Sequence, residues 1–163
     1  LIENTTLASP GQDCYSSGWG GVSPKHCHNV YLSNYQGLCK NMTGNVVRNS
    51  VLETSPGIGV SLNGQGCQGN YMQAVIENNV FRDNQTGTVL YLPGTSDSRF
   101  TVRGNEFHRS NSGVPSSNTS ASDKNAITVW GSPSCINSDV LSANVFSGDF
   151  YGYLIYKSGV TCK

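Results

Sequence analysis

Apolar residues along this chain come in short clusters at alternating positions, separated by Asn, Gly, Ser and Thr, and no stretch carries the spacing of an amphipathic helix. Four stretches share one pattern: Val46-Val47-Arg48-Asn49-Ser50-Val51, Ile76-Glu77-Asn78-Asn79-Val80-Phe81, Val102-Arg103-Gly104-Asn105-Glu106-Phe107 and Leu141-Ser142-Ala143-Asn144-Val145-Phe146. Each runs aliphatic, two variable positions, Asn, one variable position, apolar. Ile2-Glu3-Asn4-Thr5-Thr6-Leu7 matches with Thr5 in the Asn place. A Gly follows each Asn at a constant distance (Gly57, Gly87, Gly113, Gly152), and a short strand-like run comes after it. Those runs are Ile58–Leu62, Thr88–Leu92, Ile127–Trp130 (delayed by a polar insertion) and Tyr153–Tyr156. The period is about 26 residues once insertions are set aside, built from strands and turns.

Such a period predicts an all-β parallel β-solenoid: each turn of chain is one rung, stacked about 4.8 Å from the next. The chain then makes about five to six rungs, a stub about 25–30 Å tall at that spacing. A leucine-rich repeat would need a denser Leu pattern. An immunoglobulin-like sandwich would not keep Asn and Gly in a fixed register.

Stacking turns repeat positions into columns. Asn49, Asn79, Asn105 and Asn144 are expected to form a polar ladder, with Val51, Phe81, Phe107 and Phe146 as the neighbouring apolar stack. In the strands after the Gly, Ile58, Val60, Leu62, Leu90, Leu92, Ile127, Val129 and Ile155 are expected inside. Alternation then puts Tyr91, Trp130 and Tyr156 outside in one column, with Ser61 below. That aromatic stripe is a candidate surface for sugar rings or a protein partner; the competing reading is that a loop, a glycan or a neighbouring domain covers it.

Composition narrows the class. The chain has 163 residues, enough for one domain, and ten Lys and Arg balance ten Asp and Glu. Zero net charge gives no basic face for nucleic acid, and no apolar run reaches membrane-spanning length. Six Cys and four Asn-x-Ser/Thr sequons, at Asn4, Asn41, Asn84 and Asn118, point to an extracellular protein, secreted or the ectodomain of a surface protein. The chain opens and closes inside the repeat without a signal segment, so it reads as one module, residues 1–163, excised from a larger protein and flanked there by further rungs. Within it, 1–45 form irregular N-terminal rungs or a cap and 46–163 the regular repeats. Residues 114–125 read as a polar surface loop carrying the Asn118 sequon.

The I-x-x-N-x-F pattern with its trailing Gly resembles the right-handed parallel β-helix repeat of the pectate-lyase-like superfamily, most clearly from Val46 to Tyr156. That resemblance implies the right-handed fold and leaves function open, since such repeats occur in polysaccharide lyases and hydrolases, phage tailspikes and large animal surface proteins. The Cys and the sequons make the animal proteins the closer match.

Cysteines also fall into columns, and residues on adjacent rungs are close enough to bridge. The expected disulfides are Cys39–Cys67 and Cys135–Cys162, leaving Cys14–Cys27. His26-Cys27-His28 offers zinc ligands, but without the paired spacing of a zinc site, so no metal and no cofactor are expected.

Polysaccharide cleavage would need two facing carboxylates, or a calcium-held substrate with a base. Counting from the Asn column sets Glu53 and Asp83 together with Arg109 above and Asp149 nearby, a catalytic alternative to simple turn capping. The hydrolase motifs of the superfamily are absent. The expectation is therefore a non-enzymatic structural or adhesion module whose stripe of Tyr91, Trp130 and Tyr156 meets an extracellular protein or glycan. The alternative is a carbohydrate-active enzyme, a polysaccharide lyase or hydrolase, using Glu53, Asp83 and Arg109.

Overall fold

A computed structural model describes residues 1–8, 28–33, 40–55, 57–63, 70–84, 86–91, 99–110, 125–130 and 135–157. These residues build three five-stranded parallel sheets and no helix. The first sheet holds β1 (Ile2–Glu3), β4 (Met42–Arg48), β7 (Met72–Glu77), β10 (Arg99–Arg103) and β13 (Cys135–Ile136). The second holds β2 (Thr6–Ala8), β5 (Val51–Glu53), β8 (Val80–Arg82), β11 (Glu106–Arg109) and β14 (Val145–Gly148). The third holds β3 (His28–Ser33), β6 (Ile58–Asn63), β9 (Thr86–Tyr91), β12 (Asn125–Trp130) and β15 (Gly152–Lys157). Every third strand thus joins the same sheet, and three consecutive strands make one layer. The N-terminal strands pair in register with the layer that follows, so residues 1–8 and 28–33 belong to all three sheets.

Alternation within strands sets the core. Val47, Ile76 and Val102 point in from the first sheet, Leu52, Phe81 and Phe107 from the second, and Val60, Leu62, Ile127 and Val129 from the third; all are buried. The rings of Phe81, Phe107 and Phe146 stack nearly parallel, with centroids 4.6 and 5.3 Å apart, and Tyr153 lies on Phe146 at 4.9 Å. The third sheet comes close enough to this stack that a side chain at Gly87 has no place. A Cβ there would sit 2.5 Å from the Ala126 carbonyl oxygen and 2.6 Å from Phe107 Cδ1. Gly59, its partner in the layer before, is confined in the same way by Phe81 and the Gly87 carbonyl.

The Asn ladder exists, but its first member is Ser50. Strand pairing sets Val47 beside Ile76 and Val51 beside Val80, so Ser50 and not Asn49 stands next to Asn79. Its N–H donates to Asn79 Oδ1 at 3.1 Å. Asn105 repeats the bond toward Asn79, and Asn144 toward Asn105. Asn49 is exposed and takes the preceding bend position, with φ 51°, alongside Asn4 at 52°, Asn78 at 55° and Gly104 at 64°. Asn and Gly tolerate that left-handed geometry better than other residues. The same one-residue shift puts Leu52, not Val51, in the aromatic stack; Val51 is the outward neighbour of Val80.

Candidate functional site

In the second sheet each inward residue of the stack is followed by an outward polar one: Leu52-Glu53, Phe81-Arg82, Phe107-His108 and Phe146-Ser147. Strand register makes Glu53, Arg82, His108 and Ser147 one outer column on four adjacent strands. Glu53 Oε2 accepts from Arg82 Nη1 at 3.2 Å. His108 Nδ1 lies 2.5 Å from Ser147 Oγ, and its Nε2 lies 3.0 Å from Oε2 of Glu106, on the same face of β11. A carboxylate only accepts, so in the neutral ring Glu106 places the proton on Nε2 and leaves Nδ1 as the acceptor for the Ser147 hydroxyl.

One residue beyond this column along each strand the chain bends toward the third sheet. Asp83 stands there at φ 52° and Gly148 at φ 96°. A Cβ on Gly148 would run into the Arg109 carbonyl, so this bend needs glycine both for its dihedral and for its contact. Asp83 Oδ1 accepts from the Ser110 N–H at 2.7 Å and from its hydroxyl at 3.1 Å. Arg109 is buried, and its Nη1 donates to the Asp149 carbonyl at 2.8 Å. Burial holds its guanidinium below the ordinary arginine range, and the charges of Asp149 and Asp83 oppose that shift. An open cleft of about 320 Å³ lies over the bend, walled by Arg82, Asp83, His108, Arg109, Ser147 and Gly148.

The expected acidic pair does not form. Glu53 stands opposite Arg82, while Asp83 stands beside Thr54 at the bend and Arg109 at the end of β11. Counting from Asn49 in place of Ser50 moved Glu53 by one position and set it in the wrong column. Arg82, His108 and Ser147 each stand three residues after their ladder Asn, and the shift hides only that Glu53 belongs to their column. The signal that finds it is the residue directly after each member of the aromatic stack.

The aromatic column is shorter than expected. Trp130 pairs with Tyr91, and the position below Tyr91 is Asn63, not Ser61. Tyr156 pairs with Val129, and Lys157 takes the place beside Trp130. Tyr156 therefore falls in the register column of buried Leu62 and Val129, because Gly152 aligns with Asn125 at the start of the strand. Ser61 and Thr128, at outward positions of the same sheet, are buried at 1% and 4% exposure.

Two further expectations meet the structure. Asn84 is buried at 3% exposure; its Oδ1 accepts from the Ser55 N–H at 2.9 Å and its Nδ2 donates to the Leu52 carbonyl at 2.8 Å. It is a second-corner ladder residue, and the folded chain leaves no room for a glycan on that nitrogen. Asn4 and Asn41 are exposed. Asn118 and Cys14, Cys27, Cys39, Cys67 and Cys162 lie outside the described residues, as does His26, so neither the disulfide pairing nor the His26-Cys27-His28 cluster is visible; Cys135 is seen as the first residue of β13. His28 stacks on Tyr31. Among the described residues no three His, Cys, Asp or Glu side chains converge to hold a metal ion, and no helix is long and apolar enough to cross a membrane.

Comparison of the chain with protein-family models, with curated proteins and with solved structures finds no match.

Proposed function

We propose that the chain is an extracellular right-handed parallel β-helix module of the pectate-lyase-like kind, with structural and adhesive work and no cleavage of glycosidic bonds. The observation that carries this reading is how the acidic side chains are used. Glu3 pairs with Arg48 at 2.7 Å, Glu53 with Arg82 at 3.2 Å and Glu77 with Arg103 at 2.9 Å, each pair joining neighbouring layers. Asp83 caps the turn at Ser110. The carboxylates at the expected catalytic column thus brace one layer against the next, and no facing acid pair stands among them. Polar ladders at two corners and an aromatic stack between them support the same role, since they lock each layer to its neighbours. Even cysteine number and sequons support an extracellular setting.

The contact surface of this reading is the Tyr91–Trp130 pair, the last residues of β9 and β12, and its partner is an extracellular protein or glycan. A panel of polysaccharides and glycans, read for tryptophan fluorescence and for released product in the same wells, tests it. The expected result is binding without product, lost in Trp130→Ala. Released oligosaccharide that disappears in Asp83→Asn would overturn the reading in favour of a carbohydrate-active enzyme.

A further inference from the structure

We propose that Ser147 is an activated nucleophile and that the cleft above it hydrolyses small carboxylic esters by acyl transfer, an activity separate from the structural role. Three independent features meet here. Ser147 Oγ and His108 Nδ1 lie within hydrogen-bond reach, and Glu106 holds the opposite ring nitrogen at 3.0 Å. Nucleophile, base and orienting acid are thus joined in one chain of hydrogen bonds. Ser147 directly precedes Gly148, whose φ of 96° ends the strand and sets the serine at the edge of the bend. The cleft beside it is walled by two guanidinium groups, Arg82 and Arg109. Guanidinium N–H groups can donate to the oxyanion that forms when a carbonyl is attacked, with Glu53 paired to Arg82 and the charges of Asp149 and Asp83 acting on Arg109.

The chemistry closes with water as the only co-reactant. Ser147 Oγ bonds to the acyl carbon while His108 Nδ1 takes the hydroxyl proton. The tetrahedral oxyanion collapses, the bond from acyl carbon to alkoxy oxygen breaks, and His108 returns the proton to the departing alcohol. A water molecule deprotonated by His108 then attacks the acyl-serine, releasing the carboxylic acid and restoring Ser147. Glu106 acts as a positioning residue through the histidine tautomer. Ser147 and His108 are catalytic residues, and the open cleft of about 320 Å³ suits a short acyl group.

The purified chain is treated with a fluorophosphonate probe, labelled peptides are mapped by mass spectrometry, and p-nitrophenyl acetate hydrolysis is followed in the same preparation. Label is expected on Ser147 of the folded protein, with both readouts lost in Ser147→Ala and slowed about 100-fold in His108→Gln, the scale of a removed general base. Ser142→Ala, an exposed serine on a different turn, leaves them unchanged. The ¹⁵N shifts of the His108 ring report the Nε2-protonated tautomer, and Glu106→Gln abolishes that preference. Label on Ser147 no greater than on Ser142, or undiminished in His108→Gln, overturns the proposal. Glycan binding through Trp130 is unaffected by Ser147→Ala, so the two readings fail separately.

Discussion

Asn79 and Asn105 are joined twice: the backbone N–H and the side-chain Nδ2 of Asn79 both donate to Oδ1 of Asn105, each at 3.0 Å. Asn105 then donates through its own Nδ2 to Asn144 Oδ1 and to the Ile76 carbonyl, each at 2.9 Å. Each amide therefore satisfies the bend of the layer before it and hands the same geometry to the next. These groups are buried, so water cannot substitute for a missing partner.

Asn105→Ala should destabilise the fold by about 3 kcal/mol, because it leaves buried donors of Asn79 and the Ile76 carbonyl without their partner. Urea denaturation followed by tryptophan fluorescence measures the loss. Asn105→Ser should cost less, since Ser50 already fills this column, its Oγ accepting from the Thr5 N–H at 3.3 Å. Equal losses for the two variants would mean that the ladder stabilises by packing and not by its hydrogen bonds.

Gly87→Ala should destabilise by about 2–3 kcal/mol, the upper part of the range for overpacking a tight core. The new methyl would meet the Ala126 carbonyl and the Phe107 ring, both held by neighbouring layers. Thermal unfolding of the variant against the parent checks this; a shift of less than one degree would show that the third sheet can move away from the aromatic stack at little cost.

Glu3, Arg48, Glu77 and Arg103 occupy one register column of the first sheet, alternating in sign over four layers. Arg48→Glu places three carboxylates in succession and should lower stability by about 1 kcal/mol at low salt, with the loss shrinking as salt screens it. Melting curves at two ionic strengths provide the measurement. A salt-independent loss would assign the effect to the arginine stem instead.

Secretion of the chain from a glycosylating host should yield glycans at Asn4, Asn41 and Asn118 and none at Asn84, whose amide nitrogen is committed to the Leu52 carbonyl. Peptide mapping without reduction should also recover Cys14–Cys27, Cys39–Cys67 and Cys135–Cys162. A glycan on Asn84 in folded protein would contradict the second-corner ladder, and a different cysteine pairing would contradict the adjacent-rung expectation.

The amino-acid sequence by itself carries the all-β class, the period, the ladder of Asn79, Asn105 and Asn144, and the stack of Phe81, Phe107 and Phe146. These are legible because each column repeats one residue type at one spacing. The second corner was less visible: Ser55 and Asn84 make the same bond as Ser50 and Asn79, but Asn84 presented itself as a sequon.

What tertiary structure alone decided is register at the ends of the repeat. An asparagine can serve either the left-handed bend or the buried ladder, and in Asn49-Ser50 both residues are competent for a turn role. Only the pairing of Val47 with Ile76 and Val51 with Val80 assigns Asn49 to the bend and Ser50 to the ladder. Because strand side chains alternate with period two, that single step exchanges inside for outside. It separates Glu53 from Asp83 and sets it in line with Arg82, His108 and Ser147; a comparable offset at Gly152 removes Tyr156 from the column of Trp130. Local sequence determines which residues can make a bend; hydrogen bonding between layers determines which of them does.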